Sequence, residues 1–180
     1  MGTDIHLHLE VKTRNQKNWQ KVLFVGGEFL LYRHYPLFRR LYGNSEYLNS
    51  EIQYVVPYRG FPVDVSSEVF TEYAREVVGE SEMLLDNKIS VLDANHWIET
   101  KQCQYVNNES LQGVYVNDPD YHTANWINSK ELEKCMCDIQ NMECWENSEN
   151  EFCWYVLYQN MKLYETQQHC EVRAVYWFDN

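Results

Sequence analysis

The sequence lacks the features of a membrane-bound or exported chain. No apolar run among its 180 residues approaches the roughly 20 residues that cross a bilayer. The first residues have neither the basic start nor the apolar core of a signal peptide. His6 stands where a myristoylation signal has Ser or Thr. These absences predict a cytoplasmic protein with no membrane partner.

Positive charge is also scarce. The chain has 15 Lys and Arg residues against 27 Asp and Glu residues, which gives a net charge of −12. Direct binding to nucleic acid needs clustered positive charge, so we expect none. An acidic surface keeps a protein soluble, and it also suits an inhibitor that acts through its surface.

Metal-site and phosphate-loop signatures are missing as well. The six cysteines include Cys135-Met136-Cys137 but no pair at the spacing of a zinc site, so free thiols are expected. No P-loop and no dinucleotide glycine fingerprint occurs. Any nucleotide site in this chain is therefore unconventional.

The hydrophobic patterns of the sequence predict an α+β fold. We expect a single domain spanning residues 1–180, with several packed helices and a mostly antiparallel sheet that contains both terminal strands. Alternating patterns predict strands, and apolar spacing with capping signals predicts helices. The predicted strands cover 3–11, 19–25, 88–92, 113–118 and 171–180. The predicted helices cover 35–43, 68–78, 128–139 and 152–168. Pro57, Gly60 and Pro62 make residues 55–67 a stiff loop, and residues 120–126 are also assigned to a loop.

The first strand has an unusual face. Alternation places Asp4, His6, His8 and Glu10 on one side of it, opposite Ile5, Leu7 and Leu9. Four titratable groups on one side indicate that this side lines a functional site.

Five stretches of the chain resemble an uncharacterised family of bacteriophage and prophage proteins, in order and in spacing. They are MGTDIH (1–6), RHYPLF with Gly43-Asn44 (33–44), PYRGFPVDVS (57–66), DYHTANWI (120–127) and VRAVYWFDN (172–180). The resemblance implies a phage-encoded accessory protein in the host cytosol, and countering host defence is one such accessory role. It implies no established activity.

The polar residues inside these stretches are the candidate ligand-binding residues, because packing does not explain polar residues on loops and at strand ends. They are Asp4, His6, Arg33, Arg59, Asp64, His122, Asn125, Trp126, Asp179 and Asn180.

Three functions fit this set. The first is a pocket for a small anionic, nucleotide-like ligand. In it Arg33 and Arg59 hold phosphate, joined by Arg173 if its strand face turns inward. Trp126 or Tyr58 stacks on the base, and Asn125 or Asn180 binds the edge of the base. The second is a metal-dependent hydrolase of phosphate or amide bonds, in which Zn or Mn is held by Asp4, His6, His122 and Asp179. The third is an acidic inhibitor that binds a host defence protein through its surface, with the polar residues stabilising the fold.

Overall fold

The computed structural model of the protein describes residues 4–23, 33–42, 55–79, 87–139, 142–147 and 151–179. These residues form eight strands and six helices. The strands are β1 (Asp4–Lys12), β2 (Gln20–Val22), β3 (Ala74–Val78), β4 (Lys88–Ser90), β5 (Tyr105–Val106), β6 (Tyr115–Asn117), β7 (Tyr121–Ile127) and β8 (Glu171–Asp179). The helices are α1 (Tyr35–Leu41), α2 (Ser67–Tyr73), α3 (Val91–Glu99), α4 (Ser129–Ile139), α5 (Met142–Asn147) and α6 (Phe152–Gln167). None of these helices is long and apolar enough to cross a membrane.

The larger sheet, called the central sheet here, has the strand order β2-β1-β8-β7 and is antiparallel throughout. Its two middle strands pair along their whole length, with Asp4 opposite Asp179 and Lys12 opposite Glu171. The predicted α+β class, with both terminal strands in one antiparallel sheet, is therefore confirmed.

A second sheet, the small sheet, has the order β4-β3-β6-β5. Its pairs are antiparallel except for the parallel pair β3–β4. The strands are thus divided between two sheets.

The central sheet lies between two layers. On one face, the apolar side chains of β1 and β8 pack against helices α1, α4, α5 and α6 around the buried residues Leu37, Leu132, Trp145 and Trp154. On the other face, Val175 and Trp177 of β8 pack against α2 and the small sheet. Asp4, His6, His8 and Glu10 lie on this second face, because they stand opposite Asp179, Trp177, Val175 and Arg173 in the register.

The helix predicted over 68–78 is wrong in its second half. Helix α2 ends at Tyr73, and Ala74 has extended backbone angles. Val77 continues the four-residue spacing of Val69 and Tyr73, but it pairs with Ile89 in the small sheet. The backbone pairing available in this sheet outweighs the helical spacing.

The loop predicted over 120–126 is also wrong, because residues 121–127 form edge strand β7. A bulge lies between His122 and Asn125, where Thr123 adopts a left-handed φ of 52°. The extra residues interrupt the period-2 alternation by which strands are recognised in sequence.

The strand predicted over 88–92 ends at Ser90. The Ser90 hydroxyl accepts a hydrogen bond from the Asp93 amide, 3.1 Å away, and so caps helix α3. Helix α3 was not predicted, nor was α5. Residues 24 and 25 of the second predicted strand, and Gly43 at the end of the first predicted helix, lie outside the described residues.

Candidate functional site

The end of the central sheet carries four of the candidate residues, called the strand-end cluster here. Arg33 donates to both carboxylate oxygens of Asp4, from Nε to Oδ1 at 2.5 Å and from Nη2 to Oδ2 at 2.6 Å. These hydrogen bonds lower the pKa of the Asp4 carboxyl. Beside this pair, His6 Nε2 lies 3.0 Å from Asp179 Oδ2, and the His6 ring stacks on Trp177. The structure thus brings Asp4, His6, Arg33 and Asp179 together in a mainly exposed cluster.

The other two titratable groups of the β1 face are buried. His8 Nε2 lies 3.4 Å from Glu72 Oε2 of α2. Glu10 accepts hydrogen bonds from the Ser66 amide at 2.7 Å and from Arg173 Nε at 2.8 Å. The polar side of β1 therefore consists of groups that are each matched to a partner on a neighbouring element.

His122 is separated from the strand-end cluster. It stands opposite Phe178, and its ring lies against Phe178 and Tyr42 on the helix-covered face of the sheet. The β7 residue opposite Asp179 is Tyr121 instead. Asp4, His6, His122 and Asp179 are consequently not brought together. Within the described ranges, no group of three or more His, Cys, Asp or Glu residues is arranged to hold a metal ion.

Arg59, Asn125 and Trp126 meet at the edge of β7. The buried Asn125 side chain accepts from the Arg59 amide at 3.0 Å and donates to the Pro57 carbonyl at 3.1 Å. The Arg59 guanidinium lies 4.3 Å from the centre of the Trp126 ring and forms an ion pair with Glu131. Asn125 thus fixes the loop, while Glu131 neutralises its arginine.

A buried arginine lies at the centre of a second group of contacts. Arg173 is only 4% exposed, and its Nη1 donates to Asp64 Oδ1 at 2.8 Å. The Trp19 ring lies over its guanidinium at 4.1 Å, and the Trp19 indole N–H donates to Asp64 Oδ2 at 3.0 Å. Partial burial acts to raise the pKa of Asp64, but the hydrogen bonds from Arg173 and Trp19 outweigh it and lower the pKa.

Trp19 and Asp64 line a cavity of about 650 Å³, called the hairpin cavity here. It lies between the β1–β2 hairpin, residues 64–68 and the turn at 108–111. Its lining is Lys12, Lys17, Asn18, Trp19, Gln20, Asp64, Val65, Ser66, Ser67, Glu68, Asn108, Glu109, Ser110 and Leu111.

Only Asp64 among the sequence-derived candidates lines this cavity. The sequence does contain a signal for it, because the polar turn at 12–18 carries Lys12 and Lys17 and is followed directly by Trp19. Because these residues join the two predicted strands 3–11 and 19–25, the sequence alone gives them only the role of a connection. Asn180, the remaining candidate, lies outside the described residues.

The two lysines of the hairpin cavity differ from the candidate arginines. Lys12 Nζ lies 5.8 Å from the centre of the Trp19 ring, and Lys17 is exposed. Within the part of the chain that the structure describes, neither lysine forms an ion pair, whereas Arg33, Arg59 and Arg173 all do.

Comparison with known families, with curated proteins and with solved structures gives no match. The class of protein is therefore defined by fold and site: an α+β protein with a polar cavity beside a tryptophan. The bacteriophage resemblance depends on the five sequence stretches alone.

Proposed function

We propose that the protein binds a small anionic, nucleotide-like ligand in the hairpin cavity. The observation that carries this proposal is a Trp19 ring, fixed by Arg173 and Asp64, in one cavity with two lysines that form no ion pair with any residue the structure describes. The volume of about 650 Å³ lies inside the roughly 300–1,000 Å³ typical of ligand pockets. An indole ring can stack on any of the nucleic-acid bases, because every base has a π face.

Charge favours this cavity over the other candidate positions. A protein of net charge −12 repels phosphate at long range, so a phosphate site needs local positive charge. Arg33 and Arg59 were the expected phosphate ligands, but carboxylates neutralise both. Lys12 and Lys17 supply the available positive charge.

The rigidity of the ring favours binding as well. The Arg173 guanidinium lies over the Trp19 ring, and the indole N–H of Trp19 donates to the Asp64 carboxylate. A ring that is already fixed loses little conformational freedom when a ligand arrives. A phage-encoded cytoplasmic protein with such a site would sequester a nucleotide signal of the host defence.

A thermal-shift screen of linear and cyclic nucleotides tests the proposal. A ligand at a hundredfold excess over its Kd stabilises the fold by about 2.7 kcal/mol. Lys17→Ala should remove most of the shift, while Lys130→Ala removes the same charge from an exposed position of α4 and should retain it. Arg59→Ala should also retain it. The absence of a shift with every nucleotide contradicts the proposal.

The acidic inhibitor remains the second candidate. Five of the seven arginines, Arg33, Arg40, Arg59, Arg75 and Arg173, pair with carboxylates, and the net charge of −12 leaves negative charge in excess. Salt-sensitive binding to a basic face of a host protein, together with no nucleotide binding, would favour this function.

A further inference from the structure

The hairpin cavity contains carboxylates as well as lysines. Glu68 lies in the first turn of α2, and Glu109 lies in the turn at 108–111. The third carboxylate, Asp64, is paired with Arg173, which also pairs with buried Glu10. Apart from that pair, two cations and two carboxylates face the same space. A ligand with phosphate charge alone would be attracted by one pair and repelled by the other.

Glu109 stands on a turn that is fixed from inside. The buried Asn108 side chain donates to the Val65 carbonyl at 2.8 Å and accepts from the Ser110 amide at 2.8 Å. The Glu109 amide donates to the Val63 carbonyl at 2.9 Å. Asn108 is therefore engaged in holding the turn, and the Glu109 side chain is exposed to solvent.

Glu68 is positioned by the start of α2. The Ser66 hydroxyl accepts from the Val69 amide at 3.4 Å and caps the helix. The Ser66 amide is in turn held by buried Glu10. Both carboxylates are thus presented by rigid backbone on the cavity wall.

An ionised carboxylate only accepts hydrogen bonds, so its complement on a ligand is a hydroxyl or an N–H group. In nucleotide sites a carboxylate commonly accepts a hydrogen bond from a hydroxyl group of the ribose. A nucleoside monophosphate has all three parts that this cavity can bind: a flat base, a sugar with two hydroxyls, and a doubly charged phosphate.

We therefore propose, on the basis of the function above, that the ligand is a ribonucleoside monophosphate. Its base stacks on Trp19, its phosphate is held by Lys12 and Lys17, and its ribose hydroxyls donate to Glu68 and Glu109. Ribose is selected over deoxyribose because only ribose satisfies both carboxylates. A triphosphate binds more weakly, since its additional charge exceeds that of the two lysines.

Titration calorimetry of the full chain with ribonucleoside 5′-monophosphates and their 2′-deoxy counterparts tests this inference. We expect the deoxy forms to bind about tenfold more weakly, because a hydrogen bond to a charged acceptor is lost. The double variant Glu68→Ala/Glu109→Ala should bring the ratio of the two affinities close to one. Glu99→Ala, on exposed α3, removes one negative charge elsewhere and should leave the ratio unchanged.

The outcomes separate the two proposals. Equal affinity for ribose and deoxyribose forms, with both weakened by Lys17→Ala, would overturn the ribose assignment and leave the nucleotide site standing. A ratio that survives loss of both glutamates would also overturn the assignment. Absence of binding by every nucleotide would overturn both proposals.

Discussion

The Trp19 ring covers the Arg173 guanidinium at 4.1 Å, and both residues bind the same carboxylate, that of Asp64. This closed set of three residues connects the hairpin cavity to the middle strand β8. The position of Trp19 therefore depends on a charge buried in the central sheet.

Trp19→Ala should weaken nucleotide binding by about 1–3 kcal/mol, because stacking of a base on an aromatic ring contributes that amount. Trp19→Phe should retain much of the affinity, since a flat ring remains. Titration calorimetry measures both. Phe152→Ala, at an exposed aromatic residue of α6, is the matched control and should have no effect. Unchanged affinity in Trp19→Ala would rule out stacking on this ring.

Arg173→Met should lower the free energy of unfolding by about 3–5 kcal/mol, because it leaves the fully buried Glu10 carboxylate without its charged partner. Urea unfolding measures this value. Arg33→Ala breaks an exposed ion pair with Asp4 and should have a far smaller effect. Equal effects of the two substitutions would show that burial does not determine the contribution of these pairs.

Asp64→Asn should make the protein less stable than wild type at pH 7, and this difference should shrink as the pH falls below 3.8. The folded pKa of Asp64 lies below the ordinary value of 3.8, so its stabilisation is complete above that value. It is lost as the pH falls through the folded pKa. Melting temperatures at pH 7 and pH 3 test this, with the exposed Asp120→Asn as control. A difference that stays constant with pH would contradict this account.

Asn125→Ala should lower the free energy of unfolding by about 1–3 kcal/mol, because the Pro57 carbonyl and the Arg59 amide lose their partner. Hydrogen exchange at the Arg59 amide should accelerate at the same time. The same substitution at exposed Asn107 serves as the control. Slow exchange at Arg59 in the variant would mean that another contact holds the loop.

The strands at the two ends of the sequence were predictable for a local reason. β1 alternates without interruption, and β8 is rich in β-forming residues, and both signals belong to the local sequence. β7 pairs regularly with β8 only outside its bulge. The left-handed backbone of Thr123 shifts the second half of β7 out of alternation with the first half. The end of α2 was missed because Val77 fits a helix spacing and a strand equally well.

The candidate site was less predictable because it depends on distant segments. The hairpin cavity is formed by residues 12–20, 64–68 and 108–111, which meet only in the folded chain. Sequence patterns identify Arg33 and Arg59 as candidate cations for a ligand. They do not reveal that Asp4 pairs with Arg33 and that Glu131 pairs with Arg59 in the folded chain. Which charges are available to a ligand is decided by tertiary contacts.

The pairing of β1 with β8 also determines the order in which the chain can fold. The backbone of Asp4 bonds to a residue 175 positions further along the sequence. During synthesis, Leu7 and Leu9 leave the ribosome long before the strand that covers their backbone exists. Contacts between residues so far apart in sequence slow folding. A hydrophobic strand that is still unpaired is exposed to chaperones and to aggregation. The middle of the central sheet is therefore completed only when synthesis has passed β8.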